Sequence, residues 1–128
     1  MAMRIEWKDS YKIGNADIDE QHTNWFEVIN KFLDATGKES LNLCEMHMFN
    51  YTRFHFGHEE KLMKSIGYPD TQAHLLQHYA LLTRLNEVSL QIADDTLDLQ
   101  EWRDFLSDWL IKHIATSDTK LAAFVKVN

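Results

Sequence analysis

The stretch HFGHEEKLM, residues 55–63, sets His55, His58, Glu59 and Glu60 within six positions. Each of these side chains can bind a metal or carry a proton, and each can equally sit on an ordinary charged helix surface. In a helix that turns about 100° per residue they do not all face one way. The large apolar residues Met48, Phe49, Phe56, Leu62, Met63 and Ile66 mark the core-facing side of the segment. Glu59 falls near the centre of that face and His55 lies within it, four residues before. His58 and Glu60 fall roughly 100° away on opposite flanks and read as boundary or solvated residues. A carboxylate in the middle of an apolar face is costly unless something compensates its charge, and a metal ion does so.

The chain contains seven histidines, a high number for 128 residues. His22 interrupts an apolar stripe, as do His74 and His78 together at i and i+4, and His113. A lone inward histidine is more often a hydrogen-bonded core residue than a ligand; five on convergent faces argue the other way. Asp118 is the candidate second carboxylate. It follows His113 by five residues, which an ideal α-helix places about 140° apart. If it joins the group, the helix must change there, through a π-bulge or an early end; the hydroxyls of Thr116 and Ser117 can bond to backbone and favour such a break. Five imidazoles and two carboxylates are too many ligands for one ion. They suit two six-coordinate ions bridged by the carboxylates, iron or manganese before zinc or copper.

These residues need elements that bring them to one level. Residues 1–16 carry Trp7, Tyr11, Ile13 and Gly14 without helical period and read as an irregular arm that lays its aromatics on the rest. Asp17 or Asp19 can cap a first helix, whose stripe is Ile18, His22, Trp25, Ile29 and Phe32 and which Gly37 ends. A second helix runs from about Leu41 to Ile66, stopped by Gly67-Tyr68-Pro69. The third starts near Asp70 or Thr71, follows His74, His78, Leu81, Leu85, Val88 and Ile92, and breaks at Asp94-Asp95-Thr96. The fourth carries Leu99, Trp102, Leu106, Trp109 and His113. Short connections make neighbours antiparallel. The predicted architecture is all-α: one domain spanning 1–128, with the arm at 1–16, an up-down-up-down four-helix bundle over 17–117 and a tail over 118–128 that continues helical or packs as a cover. His22 and His74 lie near helix starts, His55 and His113 near helix ends, so an up-down-up-down path brings all four to the same end.

Bulk properties narrow the function classes. The net charge of −7 argues against nucleic acid or an anionic membrane as partner. The single Cys44 excludes an internal disulfide and fits a reducing compartment. The sequence contains no apolar run long enough to span a membrane, and MAMRIEWKDS has no apolar core of a signal peptide. A cytoplasmic location is expected, and a monomer.

The ordered set of one histidine on helix one, HxxxE at 55–59, HxxxH at 74–78 and HxxxxD at 113–118 resembles the hemerythrin family. The strings DEQH, HFGHEEKLM and DWLIKHI are similar to those of its single-domain bacterial members, the bacteriohemerythrins, and the likeness covers nearly the whole chain. The resemblance implies a non-haem di-iron centre. His74, His78 and His113 would hold one iron that is coordinatively full. His22 and His55 would hold a second with an open position. Glu59, Asp118 and an oxo or hydroxo group would bridge them. Dioxygen would bind reversibly at the open position, so the chain would be an oxygen carrier, store or delivery protein and not an enzyme, with an oxygen-consuming enzyme as a partner class. Trp25, Phe56, Trp109 and Ile114, close in sequence to these residues, are candidate walls of a dry oxygen pocket, though such aromatics fill a bundle core in any case. Two departures stand out: His58 as a further ligand or proton source, and Ala115, which leaves room where a large aliphatic residue would fill it. Two other readings stay open: a di-iron redox enzyme that reduces peroxide or nitric oxide, and an oxygen-sensing module.

Overall fold

A computed structural model describes residues 4–127. Four long helices follow in order: α1 (Ala16–Asp34), α2 (Lys38–Ile66), α3 (Thr71–Ala93) and α4 (Leu99–Lys112). A π-helical segment (His113–Asp118) continues α4 and leads into α5 (Thr119–Val127). No strand occurs among the described residues. The bundle is the up-down-up-down arrangement that the stripes predict. α1 packs on α2 and α2 on α3. Phe32 of α1 meets Trp102 of α4 at 6.2 Å between ring centroids, and Arg84 of α3 reaches Glu101 of α4, so the ring of helices closes.

The helix ends show where local chemistry differs from expectation. The cap of α1 is the Asn15 side chain, which accepts from Ile18 N; Asp17 and Asp19 lie inside the first turn. Asp19 accepts instead from Ile13 N at 2.8 Å and ties the arm to the helix. Gly37 does not end α1, which stops at Asp34; with φ of +87° it precedes α2, which begins at Lys38, earlier than the expected Leu41. Gly67 closes α2 in the left-handed conformation, with Tyr68 N donating back to Met63 O. Asp70 makes no side-chain cap for α3 and pairs with Lys120 of α5. Asp98 caps α4 through Glu101 N.

The arm packs as its aromatics require. Trp7, Tyr11 and Phe26 form a cluster of edge-on and tilted rings. Buried Asn30 holds it, its amide accepting from Ile5 N at 2.7 Å and donating to Ile5 O at 2.9 Å. Most of the bundle interior is one apolar cluster that includes Trp25, Phe32, Met48, Leu81, Leu85, Trp102 and Leu106. A smaller cluster around Met63, Tyr68 and Leu121, with Phe124 and Val125 of α5, covers the other end. Between the two lies a polar layer.

Candidate metal centre

Seven buried side chains make that layer: His22, His55, Glu59, His74, His78, His113 and Asp118, each at most 3% exposed. α1 supplies His22, α2 supplies His55 and Glu59, and α3 supplies His74 and His78. The π-helical segment supplies His113 and Asp118. Its wider turn brings residues five apart to one face, so the sequence mismatch at Asp118 resolves as a π-helix and not as an early end. Thr119 Oγ1 donates to Ile114 O across the same turn.

Both carboxylates divide their oxygens between two groups of imidazoles. Glu59 Oε1 lies 2.9 Å from His74 Nε2 and 3.1 Å from His78 Nε2. Glu59 Oε2 lies 3.1 Å from His55 Nε2 and 3.8 Å from His22 Nε2. Asp118 Oδ1 lies 3.2 Å from the Nε2 atoms of both His74 and His113, and Oδ2 lies 3.1 Å from that of His22. Two sets of candidate ligands result: Glu59 with His74, His78 and His113, and Glu59 with His22, His55 and Asp118. His58, half-buried, joins neither set.

The donor atoms fit cations better than they fit one another. The Nε2 atoms of His22, His55 and His113, Glu59 Oε2 and both Asp118 oxygens are buried without a hydrogen-bond partner. Buried polar atoms are normally paired, so a convergent group of orphans marks a place for something else. Two divalent ions would satisfy all of them.

The electrostatics of the metal-free cluster follow from the same packing. Burial pulls the His22 imidazole down, but the Asp118 and Glu59 carboxylates outweigh it and hold it at about 9. His74 is likewise pulled down by burial and raised by Asp118 and Glu59, to about 9. For His78 burial wins and its pKa falls below the ordinary value. Burial would raise Glu59, yet the surrounding imidazoles, His55 first, hold it well below the usual carboxylate range. Burial and Glu59 would raise Asp118, yet His113 and His22 hold it below the usual carboxylate range.

Outside the seven, three residues stand behind the rings, and sequence spacing singled out neither of the two glutamines among them. Gln21 accepts from His55 Nδ1 at 2.7 Å. Gln77 accepts from His113 Nδ1 at 2.5 Å. An amide oxygen only accepts, so Nδ1 carries the proton and Nε2 keeps its lone pair for a metal. Glu60, expected on the solvated flank, has Oε2 3.5 Å from His78 Nδ1. A signal was present in the sequence: each glutamine immediately precedes a histidine of the layer, in Gln21-His22 and Gln77-His78.

The candidate wall residues pack against the histidines or the apolar cluster beside them. Trp25 packs beside His55 and His22, with ring centroids at 5.0 and 6.1 Å, and is anchored by Nε1 on Thr52. Phe56 stacks on His78 at 3.7 Å and Trp109 on His113 at 4.5 Å. Ile114 is buried in the main apolar cluster. Ala115 is exposed and therefore does not enlarge an interior pocket.

Comparison with known proteins agrees with this site. The sequence model for the hemerythrin HHE cation binding domain matches residues 14–125. Bacteriohemerythrin of Pseudomonas aeruginosa PAO1 is 37% identical over 119 residues, 89% of this chain and 76% of that one. Bacteriohemerythrin of Clostridium acetobutylicum is 30% identical, over 88% of this chain and 94% of that one. Myohemerythrin-1 of Phascolopsis gouldii is 27% identical, over 89% and 88%. A solved structure of wild-type hemerythrin superposes with a TM-score of 0.83 at 23% identity, covering 93% of this chain and 95% of that one, which shows the shared fold. With a match over most of its length and a buried layer of histidines and carboxylates that could hold cations, the chain belongs to the hemerythrin family.

Proposed function

We propose that this protein binds dioxygen reversibly at a non-haem di-iron centre and serves as an oxygen carrier, store or delivery protein. The observation that carries this reading is the division of the two carboxylates. On one side, His74, His78 and His113 form a set with Glu59, whose Oε1 faces His74 and His78, and Asp118 Oδ1 stands 3.2 Å from His74 and His113 as a fifth donor we add to that set. On the other, His22 and His55 stand with Glu59 Oε2 and Asp118 Oδ2, four protein donors. Metal ions held there, with a solvent-derived oxo or hydroxo group between them, would be more fully ligated on the first side and would leave room for dioxygen on the second. Ferrous iron held by these residues would supply the two electrons that reversible dioxygen binding requires.

The chain's own residues favour that use. Only two carboxylates oppose two divalent ions; the remaining donors are neutral imidazoles. Bundles with four acidic ligands stabilise higher iron charge, and this layer is poorer in anions. Trp25 lies against His22 and His55, buried Phe56 and Ile114 close the core side, and half-buried Trp109 stacks on His113. His58, a departure that could have added a further ligand, stands outside both candidate ligand sets.

Iron counting after anaerobic reconstitution tests the assignment. The unsubstituted chain is expected to hold two irons. His55→Ala and Glu59→Ala should lose that stoichiometry while His58→Ala keeps it. Two irons retained in the Glu59 variant would sink the bridging role.

A further inference from the structure

The two glutamines behind the rings form a repeated device. Gln21 of α1 reaches His55 near the end of α2, and Gln77 of α3 reaches His113 just past α4. Each therefore crosses from the helix that carries its neighbouring histidine to the next helix in the chain. The two contacts serve different metal positions, because His55 belongs to one candidate set and His113 to the other. Gln77 Oε1 also accepts from Ser117 Oγ at 2.7 Å, which fixes the amide against the π-helical segment.

Both acceptors are neutral. An amide oxygen orients the ring and sets its tautomer but draws weakly on the Nδ1 proton. A carboxylate at the same place would draw on it strongly, give the ring imidazolate character and make Nε2 a more basic donor. More basic donors favour ferric over ferrous iron, and hydrogen bonding around the ligands is one of the levers a protein has on an iron centre. Glu60 faces the His78 ring from behind at 3.5 Å from Nδ1, but its side chain is 40% exposed, so the contact is long and solvent-screened.

We propose that Gln21 and Gln77 are positioning residues that set the redox balance of the centre. Their neutral oxygens hold His55 and His113 in place without enriching them in electron density. The ferrous state, from which oxygen is taken up and to which the centre returns, is favoured as a result. This inference rests on the di-iron reading above.

The test uses Gln21→Glu, Gln77→Glu and the double variant, each near-isosteric with the original. Each is loaded anaerobically with Fe(II), counted for iron, and titrated against mediator dyes for its midpoint potential. Two irons should remain in every variant. Each single substitution should shift the ferric–ferrous equilibrium at least tenfold toward ferric, about 59 mV for a one-electron step, and the double variant should shift it further. In the Zn(II)-loaded proteins, where no redox chemistry intervenes, the Nδ1–H proton resonance of His55 or His113 should move downfield in the matching variant. Unchanged midpoints with two irons bound would overturn the redox role and leave the glutamines as inert brackets. An unsubstituted chain that takes up no iron pair would overturn the di-iron reading itself, and this inference with it.

Discussion

At Glu59 one buried carboxylate meets four imidazoles, His74 and His78 through Oε1 and His55 and His22 through Oε2. A side chain at this place in an apolar face was readable from the sequence because the residues around it on α2 are core residues and it is not. The same logic exposed His22, His74, His78 and His113, each standing in an apolar stripe. It did not expose Gln21, Gln77 or Glu60, whose roles depend on what the neighbouring helix presents at the same depth. A consequence at this scale concerns protons. His22 and His74, held at about 9, are protonated at pH 7 in the metal-free protein, whereas His78, lowered by burial, is neutral. Imidazoles bind metal in the neutral form, so loading must expel those protons. Calorimetric titration with Zn(II) in buffers of different ionisation enthalpy should report about two protons released per chain at pH 7 from His22 and His74, with release from these residues fading as the pH passes 9. Uptake of metal at pH 7 with no proton release would contradict the coupling of these histidines to Glu59 and Asp118.

The elements place these residues through their ends and irregularities more than through their regular parts. The i+5 spacing of His113 and Asp118 announced that α4 could not continue as an α-helix, and the chain answers with a π-helical turn that also carries Ser117 toward Gln77. Which of the two possible answers it takes was not readable, since Thr116 and Ser117 allow either. Caps were legible in type but not in position: Asn15, Asp17 and Asp19 are all good cap residues, and the backbone of Ile13 claims Asp19 for the arm. The arm's aromatics announced that it packs; its anchor on Asn30 did not show, because a single asparagine on a helix reads as surface. Asn30→Ala removes both hydrogen bonds to Ile5 and leaves its buried N–H and C=O unpaired. We expect a loss of about 1–3 kcal/mol in chemical denaturation, with iron stoichiometry kept, since neither candidate ligand set contains an arm residue. A loss below about 0.5 kcal/mol would mean that the arm detaches freely.

Taken whole, the bundle is a polar layer held between two apolar clusters, the larger along its length and the smaller under α5. The up-down-up-down path was legible because four striped segments with short connections allow few other arrangements. The covering role of α5 was only partly so, because LAAFVKVN has too few residues to show a face. Without metal, the layer is held by its own charges, and that makes stability depend on pH. His22 and His74 lie above their ordinary 6.5, at about 9, so their contribution is complete below pH 6.5 and lost as the pH rises through 9. Glu59 and Asp118 lie below their ordinary values, so their contribution is present at neutral pH and lost as acid protonates them. The Tm of the metal-free protein should therefore fall between pH 6.5 and 9, while the loaded protein, in which metal replaces those protons, should be more stable and nearly flat over the same range. Equal slopes in the two forms would place the metal elsewhere. Reversible oxygen binding is put to the test by an oxygen cycle: anaerobic loading with Fe(II), exposure to air, then removal of oxygen, followed by visible absorption and iron counting. Two irons per chain are expected, with a charge-transfer band that appears with oxygen and vanishes on its removal through repeated cycles. A single irreversible conversion to a ferric form without that band would contradict reversible oxygen binding.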